Sequence, residues 1–223
     1  NGNKQKLSTS CTLFPTEGMI VETTNDDILE TRQEILKSLW SSHPNDCVVC
    51  DANSRCTLQD YMYLYDIPSE KTYKRPLRDF PHDESNKFFT IDQNKCILCH
   101  RCVSVCDHLV GVNALSVNNR GKESFISFAY NQGMDYSTCV SCGNCVSICP
   151  TGALIEKSPT KYKNADTTST QTTCSYCGVG CQMDLVVSDG KVVRVDPVNA
   201  IPNEGLLCVK GKFAFKYINH KNR

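Results

Sequence analysis

Cysteine is the residue type through which this chain can do chemistry. The chain has 16 cysteines among 223 residues, and most of them fall into C-x-x-C runs. Disulfide frameworks belong to secreted and usually short chains, whereas thiols bunched this closely converge on metal centres. We therefore predict metal ligation by thiolates in a reducing compartment, the cytoplasm.

The strongest pattern is a run of four cysteines, C-x2-C-x2-C-x3-C, that occurs twice. Two-cluster bacterial ferredoxins have this run, and in them the fourth cysteine of each copy ligates the other cluster. Zinc is the alternative, but zinc sites rarely use two interleaved four-cysteine runs. The two predicted 4Fe–4S ligand sets are Cys96, Cys99, Cys102 with Cys149, and Cys139, Cys142, Cys145 with Cys106.

A second constellation precedes the repeat and contains His43, Cys47, Cys50 and Cys56. Three cysteines leave one iron of a 4Fe–4S cluster without a thiolate, and the imidazole of His43 could complete the set. His43 could equally be an ordinary residue at a helix end. As a ligand, a neutral imidazole would make the site less negative, which tends to raise its reduction potential.

The third constellation differs in spacing from the ferredoxin runs and indicates a separate 4Fe–4S module. Its predicted ligands are Cys174, Cys177, Cys181 and Cys208. Gly178 and Gly180 would allow the backbone to approach a sulfide closely. Lys210 follows the last cysteine by two positions, where a solvated surface lysine is the plain interpretation.

Cys11 stands apart from these sets. It is either a small buried hydrophobic residue or the last ligand of a 2Fe–2S centre whose other ligands lie upstream. The remaining histidines have no ligand spacing, and we expect surface or supporting roles for them: His82, His100, His108 and His220.

Short elements must position these ligands. Apolar spacing predicts an amphipathic helix over residues 26–42, capped by Asn25, Asp26 or Asp27 and stopped by Pro44. A second helix is expected from Thr57, with Asp60 in the capping-box position. Extended segments are expected at 19–23 and on both sides of each ferredoxin run. A hairpin is expected over 183–187 and 192–196, and a helix over 213–219.

Charge and hydropathy exclude several partners. Lys plus Arg and Asp plus Glu number 24 each, so the net charge is zero and predicts neither nucleic acid nor an anionic membrane as a partner. No segment has the apolar length that is needed to span a bilayer.

The order of the modules resembles the catalytic subunit of cytoplasmic, NAD(P)-linked or electron-bifurcating formate dehydrogenases, which belong to the molybdopterin oxidoreductase family. The likeness runs along essentially the whole chain. It includes Cys11, the His43–Cys47 motif and both ferredoxin runs. The segments CSYCGVGC (174–181) and NEGLLCVKG (203–211) look like the start of a molybdopterin oxidoreductase.

The resemblance implies roles for single residues. His43 would be a cluster ligand, and Cys11 the last ligand of a 2Fe–2S cluster. Lys210 would lie between the last 4Fe–4S cluster and a pterin cofactor and help to couple them. The resemblance also implies electron relay from a molybdenum or tungsten bis-molybdopterin guanine dinucleotide site, where formate and CO2 interconvert, to flavin- or NAD(P)-binding, hydrogenase or ferredoxin-type subunits. No catalytic residue is expected within this chain.

On this basis we predict an α+β fold of small modules organised by metal. It combines a bacterial two-cluster ferredoxin-like domain with the N-terminal 4Fe–4S module of a molybdopterin oxidoreductase. The expected domains are a remnant of a plant-type 2Fe–2S ferredoxin (1–24), a 4Fe–4S domain with one histidine and three cysteines as ligands (25–86), the two-cluster domain (87–158), a linker (159–173) and the molybdopterin oxidoreductase 4Fe–4S domain that begins a truncated catalytic domain (174–223).

Two other functions remain open. One is a standalone iron–sulfur carrier subunit that conducts electrons but has no catalytic centre. The other is a large subunit linked to NADH dehydrogenase or hydrogenase. The respiratory NADH dehydrogenase subunit generally lacks the doubled ferredoxin run, and the Cys174–Cys208 module argues against iron-only hydrogenases.

Overall fold

The computed structural model describes residues 6–158 and 161–222. Residues 1–5 of the expected 2Fe–2S remnant, residues 159–160 of the expected linker and Arg223 lie outside the described residues. None of the described helices is long and apolar enough to cross a membrane. Short helices and strands are mixed along the chain, as predicted for an α+β protein.

The α-helices are α1 (Asp26–Ser42), α2 (Thr57–Leu64), α3 (Arg101–Ser104), α4 (Asn144–Ile148) and α5 (Val209–Phe213). The strands are β1 (Phe89–Ile91), β2 (Leu115–Asn118), β3 (Phe125–Phe128), β4 (Leu154–Glu156), β5 (Thr168–Thr173), β6 (Gln182–Ser188) and β7 (Lys191–Pro197). Short 3₁₀ helices span Cys47–Val49, Gln93–Lys95, Gly121–Glu123, Ala129–Asn131, Met134–Tyr136, Asn164–Asp166 and Ala214–Asn219, and a π turn spans Val105–Leu109.

Helix α1 has the predicted bounds. The side chain of Asn25 accepts a hydrogen bond from the Ile28 N–H at 2.9 Å, which satisfies one of the free amides at the helix start. Leu36 on its inner face packs with Ala52 and Leu58, and Leu58 lies on α2. This small core packs α1 against α2, and the predicted ligands from His43 to Cys56 lie between the two helices in the sequence.

Helix α2 begins at Thr57 as predicted, but the predicted capping box is wrong. The N-cap is Cys56, and no side chain caps the helix. The Cys56 carbonyl accepts from the Asp60 N–H at 3.0 Å, so Thr57 already lies inside the helix and Asp60 is one position too late to close a box.

The ferredoxin repeat is tied together by two antiparallel ladders. Strand β1 pairs with β4, and β2 pairs with β3, so each ladder joins a strand beside the first run to one beside the second. Phe89, Val105, Phe128 and Val146 fill the core between the two copies. The extended segments predicted around each run are therefore confirmed.

The C-terminal module is a three-stranded sheet in the order β5–β6–β7, and it contains the predicted hairpin. The linker prediction is wrong for Thr168–Thr173, because this polar segment pairs with β6 as an edge strand. Its threonines favour extended backbone while their side chains stay exposed, so the composition resembles that of a linker.

Two further predictions need correction. Residues 19–23 form no strand: they are exposed and pair with no strand in the described part of the chain, and a strand needs such pairing to persist. The helix predicted over 213–219 begins earlier, as α5, and continues only as the 3₁₀ helix Ala214–Asn219.

Candidate metal centres

All 16 cysteines lie within the described residues, and all are free thiols. Within residues 6–158 and 161–222, no three His, Cys, Asp or Glu side chains lie close enough to hold one metal ion. The thiols of the ferredoxin repeat are arranged around two cavities, where each one can face a different corner of a larger group.

The first ferredoxin cavity lies beside α3 and has apolar walls that include Ile91, Ile126 and Leu154. The predicted ligands that line it are Cys96, Cys99, Cys102 and Cys149. The Leu98 N–H donates to the Cys96 sulfur at 3.4 Å. Four thiols around an apolar cavity form a donor set that fits a 4Fe–4S cluster.

The second cavity repeats this construction beside α4, with Phe89 and Phe128 in its wall. Its predicted ligands are Cys139, Cys142, Cys145 and Cys106. The Ser141 N–H donates to the Cys139 sulfur at 3.4 Å. The structure therefore places three thiols of one run and one thiol of the other around each cavity, in the sets that the ferredoxin pattern predicts.

The backbone of the two ligand loops repeats as well. Leu98 and His100 have φ of 55° and 60°, and Ser141 and Gly143 at the matching positions have φ of 55° and 79°. Left-handed residues of this kind turn backbone N–H groups towards an anionic group. His100, for which we expected no ligand role, shapes this loop through its main chain.

Burial keeps the innermost thiols protonated in the absence of metal. It raises the pKa of Cys102 to about 12 and the pKa of Cys145 well above its ordinary value. Thiolate is the form that binds iron, so binding at these positions must release protons.

The His43 set lies under the end of α1. His43 is buried and stacks on Trp40 with a distance of 5.9 Å between ring centroids. Burial lowers the pKa of His43 to about 4, so its ring is neutral at physiological pH and has a lone pair available for a metal. Burial raises the pKa of Cys56, backbone hydrogen bonds from Gln59 and Leu58 partly oppose this shift, and the charges of Cys50 and Cys47 add to it. The three thiols therefore lie close enough to interact electrostatically.

Three predicted ligands of the C-terminal set lie in the loop between β5 and β6, and the fourth, Cys208, directly precedes α5. Cys174 is buried, Cys181 is half-buried, and Cys177 and Cys208 are exposed. Burial, followed by the charges of the other three thiols, raises the pKa of Cys181, so the four thiols lie close enough to interact electrostatically. The Cys174 N–H donates to the Cys181 carbonyl at 2.8 Å and closes the ligand loop. Lys210 is exposed on α5, two positions after Cys208.

Cys11 belongs to no group of three potential metal ligands within the described residues. It lies exposed in a turn between Thr9 and Thr12. This exposure contradicts the alternative of a small buried hydrophobic residue. The 2Fe–2S assignment stays a prediction.

Two polar residues beside ligands were missed by sequence reasoning. The Nζ atom of Lys95 lies 3.6 Å from the Cys50 sulfur and 2.9 Å from the Asp46 carboxylate. Burial would lower the pKa of Lys95, but Asp46 and the Cys50 thiolate raise it overall. Asn144 exchanges two hydrogen bonds with the main chain of Leu207, at 3.1 and 3.0 Å. The sequence offered one indication of their importance: each residue directly precedes a predicted ligand cysteine of the repeat.

A buried chain of charges was also missed. Arg55 lies 3.0 Å from Glu156, and Arg194 lies 3.9 Å from the same carboxylate. Arg194 continues to Asp196 at 2.9 Å, and Lys212 joins Asp196 at 3.3 Å. These residues come from three separate parts of the chain, so no local pattern could reveal that they meet.

Comparison with protein families places three matches along the chain. Residues 32–71 match the NADH-ubiquinone oxidoreductase-G iron-sulfur binding region, and residues 87–155 match the NADH-quinone oxidoreductase subunit 3 ferredoxin-like domain. Residues 167–220 match the molybdopterin oxidoreductase Fe4S4 domain.

Several curated proteins are similar over nearly the whole chain. The NADPH-Fe(3+) oxidoreductase subunit alpha of Geobacter sulfurreducens is 36% identical over 222 residues, which are 96% of this chain and 25% of that protein. The second G-type subunit of NADH-quinone oxidoreductase from Rhizobium meliloti is 35% identical, covering 98% and 26%. "Putative formate dehydrogenase YrhE" of Bacillus subtilis is 29% identical, covering 98% and 27%. The chain thus spans about a quarter of the length of these relatives.

A solved structure of an NAD+-reducing [NiFe]-hydrogenase in the H2-reduced state has a similar fold. Its TM-score is 0.64 at 24% identity, and the match covers 70% of this chain and 66% of that chain. Together with the thiol-lined cavities, the three family matches show that the chain is built of iron–sulfur modules. The modules are similar to the iron–sulfur domains of NADH-ubiquinone oxidoreductase-G, of NADH-quinone oxidoreductase subunit 3 and of molybdopterin oxidoreductases.

Proposed function

We propose that this chain relays electrons through four 4Fe–4S clusters between a molybdenum or tungsten bis-pterin site of a formate dehydrogenase and partner redox subunits. One observation carries the relay: residues next to the ligands of consecutive sites are in direct contact, from the His43 set to the C-terminal set.

The first contact joins the His43 set to the first ferredoxin cavity. The Cys56 thiol donates to the Pro150 carbonyl at 3.5 Å, and Pro150 directly follows Cys149. The Leu58 N–H donates to the same carbonyl at 3.2 Å. A predicted ligand of one site therefore touches the residue bonded to a predicted ligand of the next.

The two ferredoxin cavities are joined through the repeat itself. Cys102 lines one cavity and Cys145 lines the other, and a thiolate at Cys102 would raise the pKa of Cys145. Because each set takes its fourth thiol from the other run, neither site can move without its neighbour. This exchange keeps the spacing of the two sites constant.

The last contact joins the second ferredoxin cavity to the C-terminal set. Asn144, which precedes Cys145, holds Leu207, which precedes Cys208. The ring of Phe213 stacks on Phe88 with a centroid distance of 5.0 Å and presses against Gly143. The C-terminal module is thus docked at the ligand loop of its neighbour.

When bound, 4Fe–4S clusters supply one-electron carriers, and the protein tunes them by ligand type, hydrogen bonds to sulfur and burial. In this chain, Leu98, Ser141 and Ala114 donate N–H groups to the sulfurs of Cys96, Cys139 and Cys106. Both ferredoxin cavities have largely apolar walls. On this proposal, the buried and neutral ring of His43 supplies the fourth ligand of the set that has only three thiols.

Formate as the substrate of the complete protein is supported by the Bacillus subtilis relative and by the motif resemblance. On this proposal, Lys210 couples the C-terminal cluster to the pterin, and Cys11 is a ligand of a 2Fe–2S cluster completed by other residues. A nicotinamide-linked oxidoreductase without formate chemistry is the second candidate, favoured by the higher identity to the Geobacter protein.

The test uses the full-length protein in its native complex under anaerobic conditions. Iron and sulfide are quantified first, and visible absorbance of the clusters is then followed after addition of formate or of NADPH or NADH. Bleaching by formate supports the proposal. Bleaching by a nicotinamide alone favours the second candidate, and a preparation without iron and sulfide contradicts both.

A further inference from the structure

Lys95 occupies the junction between two of the predicted cluster sites. Its Nζ atom lies 3.6 Å from the Cys50 sulfur, a predicted ligand in the His43 set. Its own main chain continues directly into Cys96, a predicted ligand of the first ferredoxin site. Among the described residues, it is the one cation with a hydrogen bond to a predicted ligand sulfur.

Lys95 is held through both its side chain and its main chain. It is only 15% exposed, and its Cδ atom lies 3.5 Å from the position that a Cβ would take at Gly152. The hydroxyl of Thr151 donates to the Lys95 carbonyl at 2.9 Å. The ammonium therefore has a defined position beside the sulfur.

The carboxylates around the ammonium oppose its effect. Asp46 lies 2.9 Å from Nζ, and Asp92 lies 3.9 Å from it. A positive charge beside a cluster stabilises the reduced form, which is more negative, and nearby negative charges do the reverse. The electrostatic potential at Cys50 therefore combines a positive contribution from the Lys95 ammonium with negative contributions from the Asp46 and Asp92 carboxylates.

We propose that Lys95 raises the reduction potential of the cluster held by His43, Cys47, Cys50 and Cys56, and that Asp46 limits the increase. This inference rests on the proposed cluster function. The Lys95 charge acts on this site in the same direction as the imidazole ligand, and the Asp46 and Asp92 carboxylates act against it. Lys95 is a positioning and tuning residue, because it acts on a ligand rather than on the iron.

The experiment is a redox titration of the cluster-loaded full-length protein, monitored by electron paramagnetic resonance. The signal that shifts in His43→Cys is assigned to the His43 site. Lys95→Met removes the charge and keeps the stem, and Lys95→Arg restores a cation. Lys37→Met is the matched control, because Lys37 has an ion pair of 2.7 Å with Glu34 but no thiol contact.

We expect the midpoint potential of the His43 site to fall in Lys95→Met, to stay near the wild-type value in Lys95→Arg and Lys37→Met, and to rise in Asp46→Asn. A general loosening of the site would move both single variants in one direction. An unchanged potential in Lys95→Met with full iron content would overturn the inference. If Lys95→Met fails to load iron, Asp46→Asn decides: a rise supports the inference, and no rise contradicts it. Wild-type protein without cluster signals would contradict the proposed function instead.

Discussion

At the scale of single residues, the predicted sites depend on neighbours that contribute no ligand. Gly152 is the sharpest case, because a Cβ at this position would lie 2.7 Å from the Cys50 sulfur and 3.3 Å from the Ala52 Cβ. The ferredoxin module therefore approaches the His43 module so closely that only hydrogen fits between them. The contact of Lys95 with Cys50 and the hydrogen bond of Thr151 to the Lys95 carbonyl lie beside this glycine.

We predict that Gly152→Ala displaces Cys50 and reduces the occupancy of the His43-site cluster. Overpacking of this kind costs about 1–3 kcal/mol, and the displaced atom here is a predicted ligand. Iron per chain and the magnetic resonance signal of the His43 site measure the effect.

Gly178→Ala is the control for this change. No atom lies within 4 Å of a Cβ added there, and Gly178 lies in the ligand loop of the C-terminal set, away from the His43 set in the sequence. The His43-site signal should be unaffected in this variant. An undisturbed His43 site in Gly152→Ala would show that the loop relaxes to admit the methyl group.

At the scale of elements, ligand loops hold one another through main-chain groups. The side-chain amide of Asn144, at the start of α4, bonds to the Leu207 main chain as a neighbouring strand would. It donates to the Leu207 carbonyl and accepts from the Leu207 N–H. Both partners are buried, so neither bond is replaced by water when it is broken. The spacing between the second ferredoxin site and the C-terminal site depends on this pair.

We predict that Asn144→Ala weakens the communication between these two sites. The variant leaves the buried N–H and C=O of Leu207 unsatisfied, which costs about 1–3 kcal/mol for each group. Magnetic coupling between the two reduced clusters should decrease while both clusters remain bound. This coupling responds to distance, which loss of overall stability alone does not change.

Asn118→Ala is the matched control, because the Asn118 amide bonds to the Ser127 hydroxyl at 2.8 Å within one ladder and joins no modules. Its coupling signal should equal that of the wild type. Equal coupling in Asn144→Ala and Asn118→Ala would refute the positioning role.

At the scale of the whole molecule, a buried chain of charges connects the modules. Arg55 directly precedes Cys56 of the His43 set, Glu156 ends β4, and Arg194 lies on β7. Both arginines nevertheless meet the Glu156 carboxylate. The Glu156 side chain is 8% exposed, so solvent screens these pairs little. Arg194 and Lys212 then share Asp196 inside the C-terminal module.

We predict that Glu156→Gln loosens the docking of the three modules. Breaking a buried pair leaves the guanidinium groups uncompensated, at a cost of roughly 3–5 kcal/mol. Calorimetry of the cluster-loaded protein should show a lower apparent melting temperature and separated transitions. Glu123→Gln, which removes an exposed pair with Lys122, should change neither. A single unshifted transition in Glu156→Gln would mean that the cores alone dock the modules.

Removal of the clusters should unfold much of the chain. The buried apolar residues form three small clusters in the described residues, and each includes at least one predicted ligand cysteine. Folding and metal binding are coupled when ligands are part of the core. Chelation under reducing conditions, followed by circular dichroism, should show the loss of cooperative melting, and a retained transition would contradict this prediction.

The sequence alone determined the four groups of predicted ligands, the exchanged cysteines of the repeat, helix α1 and the β6–β7 hairpin. These features depend on residue type and on short spacing, because ligand loops, helices and turns are formed by residues close together in the sequence. Strand β5 was not predicted, because its polar and mostly exposed residues show no alternation of apolar and polar side chains. The tertiary structure alone decided that Lys95 reaches Cys50, that Asn144 holds Leu207 and that Glu156 gathers two arginines. Each of these contacts joins segments far apart in the chain, so packing between modules, rather than local preference, creates it.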